Sequence, residues 1–238
     1  MADGFNRRVM YDAAGTSTAI DEGLRSYMLR VYNYMAGGLA LTGVVAYLTA
    51  SSPAMLHAIF GTPLAWVVML APLGIVFYLS ARVNKMSLSS TQTWFWVFAG
   101  VMGLSLASIF VLYTQTSIAK VFFITAASFG SLSLYGYTTK KDISGWGSFL
   151  FIGLIGIIIA SVVNIFLHSS GLSFMISIIG VLVFAGLTAY DTQQIKEMYV
   201  ESDGGEIAGK KAVMGALRLY LDFINLFLML LRLLGNRN

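Results

Sequence analysis

Long apolar stretches alternate with short polar ones along this chain, and their lengths are those of membrane spans. Apolar runs cover 31–50, 62–81, 94–112, 117–137, 146–167 and 172–190. Each is near the ~20 residues that a helix needs to cross ~30 Å of hydrocarbon. A further apolar run, 212–234, differs because it contains Arg218, Asp222, Asn225 and Arg232 at successive spacings of 4, 3 and 7 residues. At ~100° per residue those side chains return to one narrow stripe of a helix. A helix that is apolar except for one ionisable stripe belongs inside a bundle, with the stripe lining a polar cavity. The pattern predicts an all-α, polytopic membrane protein of seven helices. A polar leader occupies 1–30 and a single membrane domain 31–238.

Composition supports this class. Hydrophobic residues make up 57% of the chain and charged residues 11%, against about 25% charge in soluble domains. The lipid bilayer is therefore the first expected partner, and a net charge of +4 gives no reason to expect nucleic acid. With no cysteine, disulfides and thiolate metal sites are excluded.

The leader carries Arg7, Arg8, Asp12, Asp21, Glu22, Arg25 and Arg30 with no apolar interruption. It reads as an uncleaved cytoplasmic segment, with Asp21 as the N-cap of a short amphipathic helix before the first span. Basic residues recur in alternate connections: Arg82 and Lys85, then Lys140 and Lys141, then Lys196, Lys210 and Lys211. The other connections hold almost none, so the positive-inside rule places the N-terminus in the cytoplasm. Arg232 and Arg237 oppose that rule if the last run crosses, which leaves a re-entrant last segment open. Short loops and the lack of targeting segments suggest a bacterial inner membrane.

Small residues recur at four-residue spacing in Ala99, Gly103 and Ala107 and again in Gly156 and Ala160, as in closely packed membrane helices. The tryptophans Trp66, Trp94, Trp96 and Trp146 fall near span starts, as interfacial aromatics do. His57 and His168 fall in loops and read as surface residues.

The chemistry concentrates near the C-terminus. Asp222 lies in hydrocarbon, where an ionised carboxylate costs about 2.5–3.5 kcal/mol at a helix centre. Arg218 is one helical turn away and is positioned to neutralise it. A second carboxylate, Asp191, follows the sixth run directly in GLTAYDTQQIKEMYV. If Lys196 reaches the interface, Asp191 lies a turn or two inside the boundary. Arg82, at the end of the second run, is either an interface anchor or a counter-ion.

The motifs AYDTQQIK and GALRLYLDFINLFLMLLRLLG resemble the paired signature of the Bax inhibitor-1 family, and the resemblance covers nearly the whole chain. It implies seven helices with the seventh surrounded by the other six. It also implies a pH-sensitive calcium leak channel, as bacterial members are described. In those proteins two aspartates share a proton and an arginine on the second helix latches the closed state. Asp191 and Asp222 match the aspartates by motif, and Arg82 matches the arginine by position. No tightly bound cofactor is expected; calcium is the permeant ion, with Asp191 and Asp222 as oxygen ligands. The alternative is a membrane-embedded regulator that binds a membrane-anchored ATP-dependent protease or another membrane protein, without transport.

Rivals from other classes fit less well. An intramembrane aspartyl protease also needs two aspartates, but LYLD around Asp222 lacks the glycine-flanked second motif. A retinal protein needs a lysine within the last run, which has none. No catalytic residue is expected.

Overall fold

The computed structural model describes the backbone of residues 2–238 and the side chains of 22–238. Within them the chain is helical: α1 (Ala2–Ala50), α2 (Pro53–Phe60), α3 (Leu64–Arg82), α4 (Leu88–Leu112), α5 (Gln115–Thr138), α6 (Trp146–Leu167), α7 (Ser170–Glu197) and α8 (Gly205–Leu234). All but α2 are long and apolar enough to cross a membrane.

Helix starts coincide with residues that satisfy free backbone donors. Ser52, Ser87, Thr114 and Ser169 accept the N–H of Met55, Ser90, Ser117 and Leu172. Between α6 and α7 the chain reverses through His168, whose φ of 48° is left-handed. Asn164 ties that turn by accepting the Ser169 N–H at 3.0 Å and donating to Ser173 Oγ at 2.7 Å. His168 is thus a surface turn residue, and His57 is exposed on α2.

Several boundaries differ from the sequence reading. The α1 backbone runs unbroken through Asp21, so Asp21 does not begin a separate helix; its side chain lies outside the described residues, as do those of Arg7, Arg8 and Asp12. Polar residues extend an apolar helix wherever their backbone bonds remain internal, so α7 continues past Asp191 to Glu197 and α8 starts at Gly205. Likewise α4 starts at Leu88, which draws Trp94 inward against Tyr78 at 4.9 Å between rings. Trp66 and Trp146 stay in first turns.

The last helix crosses the whole bundle and is not re-entrant. Beyond α8, the Asn238 N–H reaches Leu112 O at 3.1 Å and the Thr114 N–H reaches Asn236 O at 3.1 Å. The C-terminus is therefore at the α4–α5 turn, at the opposite end from the α7–α8 link where α8 begins.

Helix α8 is central. Of its membrane-crossing window 67% is buried, against at most 39% for any other helix. It packs on α1, α4, α5 and α7, while α3 leans on α4 and α6 on α7. Ala99, Gly103 and Ala107 are buried at the α1–α4 contact, where a Cβ on Gly103 would meet Thr42 O at 2.7 Å. Gly136 lets α5 reach the Ala189 carbonyl on α7 in the same way. The Gly156–Ala160 pair makes no such approach, because Gly156 faces open space.

Candidate functional site

The end of α7 shows why its polar residues tolerate a position at the membrane boundary. Gln193 uses both ends of its amide: Oε1 accepts the buried Ile143 N–H at 3.0 Å and Nε2 donates to Lys141 O at 3.0 Å. Lys196 donates to Tyr137 O at 2.9 Å and lies over the Tyr137 ring. Thr192 donates to Thr188 O at 2.7 Å and meets Ser133 Oγ at 3.0 Å, and Ser133 in turn meets Tyr32 OH at 2.7 Å. These bonds join α7 to α5, to α1 and to the α5–α6 loop. In that loop the Ser144 N–H donates to Asp142 at 2.8 Å, and the Ser144 hydrogen bonds hold the Asp142 carboxyl below the usual carboxylate range.

Beyond the end of α7, the α7–α8 link is closed by Lys211, which donates to Met198 O at 2.9 Å and pairs with Asp203 at 2.5 Å. The hairpin thus formed sets the last turns of α7 against the first half of α8.

Asp191 and Asp222 meet across that hairpin. Asp222 is only 5% exposed, and Asp191 is half-buried. With both carboxyls ionised, Asp222 Oδ2 is a buried acceptor without a partner. The Asp191 carboxyl lies within hydrogen-bonding reach of Asp222. Two ionised carboxylates held side by side in a poorly solvated site repel each other.

The positive charge at the site comes from Arg218. It acts on both carboxyls and on Tyr27 of α1. Its own side chain is exposed, and it makes no ion pair: those among the described residues are Lys210–Glu206 and Lys211–Asp203. The expected Arg218–Asp222 bridge is therefore not formed at contact distance. Asn225 spends its amide on Leu221 O, 2.8 Å away on its own helix, and Arg232 is exposed at the far end.

Arg82 is not brought to the pair. It ends α3, an outer helix packed on α4, and is exposed with no ion pair among the described residues. Among the described residues no group of three or more His, Asp or Glu side chains converges, whereas calcium takes about 6–8 oxygens.

Two buried groups escaped the sequence reading. Tyr27 is 3% exposed with an unpartnered hydroxyl. Tyr220, fully buried, pairs with Thr42 Oγ1 at 2.6 Å, and Thr42 donates to Ala99 O at 2.8 Å. The only signal was a tyrosine two residues before Asp222 in an apolar run.

Residues 24–238 match the family model described as inhibitor of apoptosis-promoting Bax1. The inner membrane protein YbhL of Escherichia coli is 48% identical over 218 residues, covering 90% of this chain and 93% of YbhL. A Rickettsia prowazekii protein, RP147, is 54% identical over 217 residues, covering 91% and 92%. A Caulobacter vibrioides protein is 44% identical over 242 residues, covering 98% and 96%.

Proposed function

Starting from a chain that belongs to the Bax inhibitor-1 family of membrane proteins, we propose that it is a pH-sensitive calcium leak channel of the bacterial inner membrane, gated by Asp191 and Asp222. The observation that carries this reading is the carboxyl pair joining α7 to the central helix, with Asp222 buried and short of one hydrogen-bond donor.

With one proton the pair bonds α7 to α8 and the path is closed. Raising the pH removes that proton. Two acceptor-only carboxylates then repel, the α7–α8 contact loosens, and the site attracts a divalent cation through oxygen ligands. Arg218 takes the counter-charge role, which keeps the cation passing rather than resident. Flux therefore rises with pH through the titration of the pair. The positive-inside pattern puts the α7–α8 link and the N-terminus in the cytoplasm, so the pair senses cytoplasmic protons. The inner-membrane assignment is supported by the name of YbhL.

The test is calcium flux into liposomes containing purified protein, measured across pH together with the melting temperature. Asp222→Asn and Asp191→Asn keep the shape and the hydrogen bonding but remove the titration. Either substitution is expected to flatten the pH response, and the double variant to do little more, because the pair acts as one unit. Folded single variants that titrate like wild type would remove the sensor. Folded wild-type protein that carries no calcium at any pH would remove the channel, leaving the regulator of a membrane-anchored protease as the surviving reading.

A further inference from the structure

Helix α1 packs on α4 and α8, and α5 packs on α7 and α8, which leaves a groove between α1 and α5. It holds two cavities, of about 510 and 570 Å³, that meet at Met35 and Phe129. The first lies under Met28, Met35, Phe129 and Leu134, and two of its hydroxyls, Tyr32 and Ser133, are already bonded to each other at 2.7 Å. Its lining is otherwise apolar except for Tyr137 and, at its mouth, Arg25. At its mouth Arg25 also belongs to an adjoining polar depression with Ser26, Arg30 and Asn33. Both arginines are exposed, with Glu22 the acidic residue of that depression. Lys196 adds a third cation by lying over the Tyr137 ring, which also lines the cavity.

We infer that this α1–α5 groove binds an anionic phospholipid, with one acyl chain in the cavity and the phosphate on Arg25 and Arg30. Length and charge both select this occupant. From Arg25 to Met35 is ten residues, or ~15 Å of helix, which matches one leaflet of a ~30 Å hydrocarbon core. Arg25 stands at one end of the groove, beside the depression that holds Arg30. An amphipathic helix would place a second polar face against the same apolar walls, whereas one lipid presents a single charge followed by a chain. The binding is independent of whether the protein conducts calcium. Its floor nevertheless touches the gating region, because Ser133 meets Thr192 beside Asp191.

Native mass spectrometry of the purified full chain, titrated with phosphatidylglycerol or phosphatidylcholine, tests this. Wild type is expected to retain one phosphatidylglycerol about thirtyfold more tightly than phosphatidylcholine, the size two basic residues confer at a membrane surface. Arg25→Gln with Arg30→Gln should remove the preference while leaving apolar retention in place. Gly130→Leu, whose added Cβ meets nothing within 4 Å, should fill the cavity and release both lipids at an unchanged melting temperature. Leu134→Trp fills the same cavity from its rim and replaces the glycine variant if that one does not fold. Equal retention of the two lipids by wild type overturns the inference, and so does undiminished retention in a folded cavity-filling variant.

Discussion

Gln193 shows how one side chain organises the end of a span. Its amide satisfies a donor and an acceptor of the α5–α6 loop at once, and Ile143 is fully buried there. Gln193→Leu leaves the Ile143 N–H without an acceptor, at a cost of about 1–3 kcal/mol. The expected outcome is a lower melting temperature with faster amide exchange over 139–145, while Gln194→Leu, whose side chain bonds at an exposed position to Glu197, is near neutral. The arginines divide at the same scale. Arg218→Gln takes a positive charge from the carboxyl pair, which makes its deprotonation harder. Calcium flux should then require a higher pH than in wild type. Arg82→Gln, at an exposed position without an ion pair among the described residues, should leave the flux profile in place; a leak raised by Arg82→Gln alone would return the latch to α3.

Helices that approach closely do so where a side chain would collide with a neighbouring backbone. A Cβ on Gly136 would run into the Ala189 carbonyl, whereas one on Gly156 would meet nothing. Gly136→Ala is expected to destabilise by about 1–3 kcal/mol through forced separation of α5 and α7. Gly156→Ala should be neutral or stabilising by about 0.5–1 kcal/mol, from helix propensity alone. Thermal unfolding in one detergent compares the two. The contrast explains why spacing of small residues identified the α1–α4 contact yet misjudged α6. A repeat of small residues permits close packing, and only a facing helix turns that permission into contact.

For the whole molecule, the crossing of α8 sets which loops share a side. Cysteines at Ser52, Ser169 and Asn238 should react with an impermeant thiol reagent from one face of the membrane, and cysteines at Ser90 and Ser144 from the other. The chain has no native cysteine, so the background is clean. External labelling of the first group places the N-terminus in the cytoplasm; the opposite pattern reverses the orientation and with it the side on which the carboxyl pair senses pH. Asn238 labelling with Ser144 would contradict the contact between the chain end and Leu112.

The sequence by itself determined the number of spans, the class of fold and the two carboxyls, because each depends on local quantities. An apolar run of span length has to be a helix in lipid, and a carboxylate inside such a run requires shielding wherever it lies. The paired motifs named the family on the same local basis. Tertiary structure decided the rest. It chose Arg218 over Arg82 as the cation facing the pair, because α3 lies outside α4 while Arg218 is one turn from Asp222 on the central helix. It left Arg218 and Asp222 unbridged although their spacing allows a bridge, since side-chain direction depends on neighbours as well as register. It carried α8 across the bundle against the pull of Arg232 and Arg237, because burial of that helix on four others and the bonds of the chain end to the α4–α5 turn outweigh two exposed charges. The groove between α1 and α5 had no trace in the sequence, because a space between helices belongs to their arrangement and to no single run of residues.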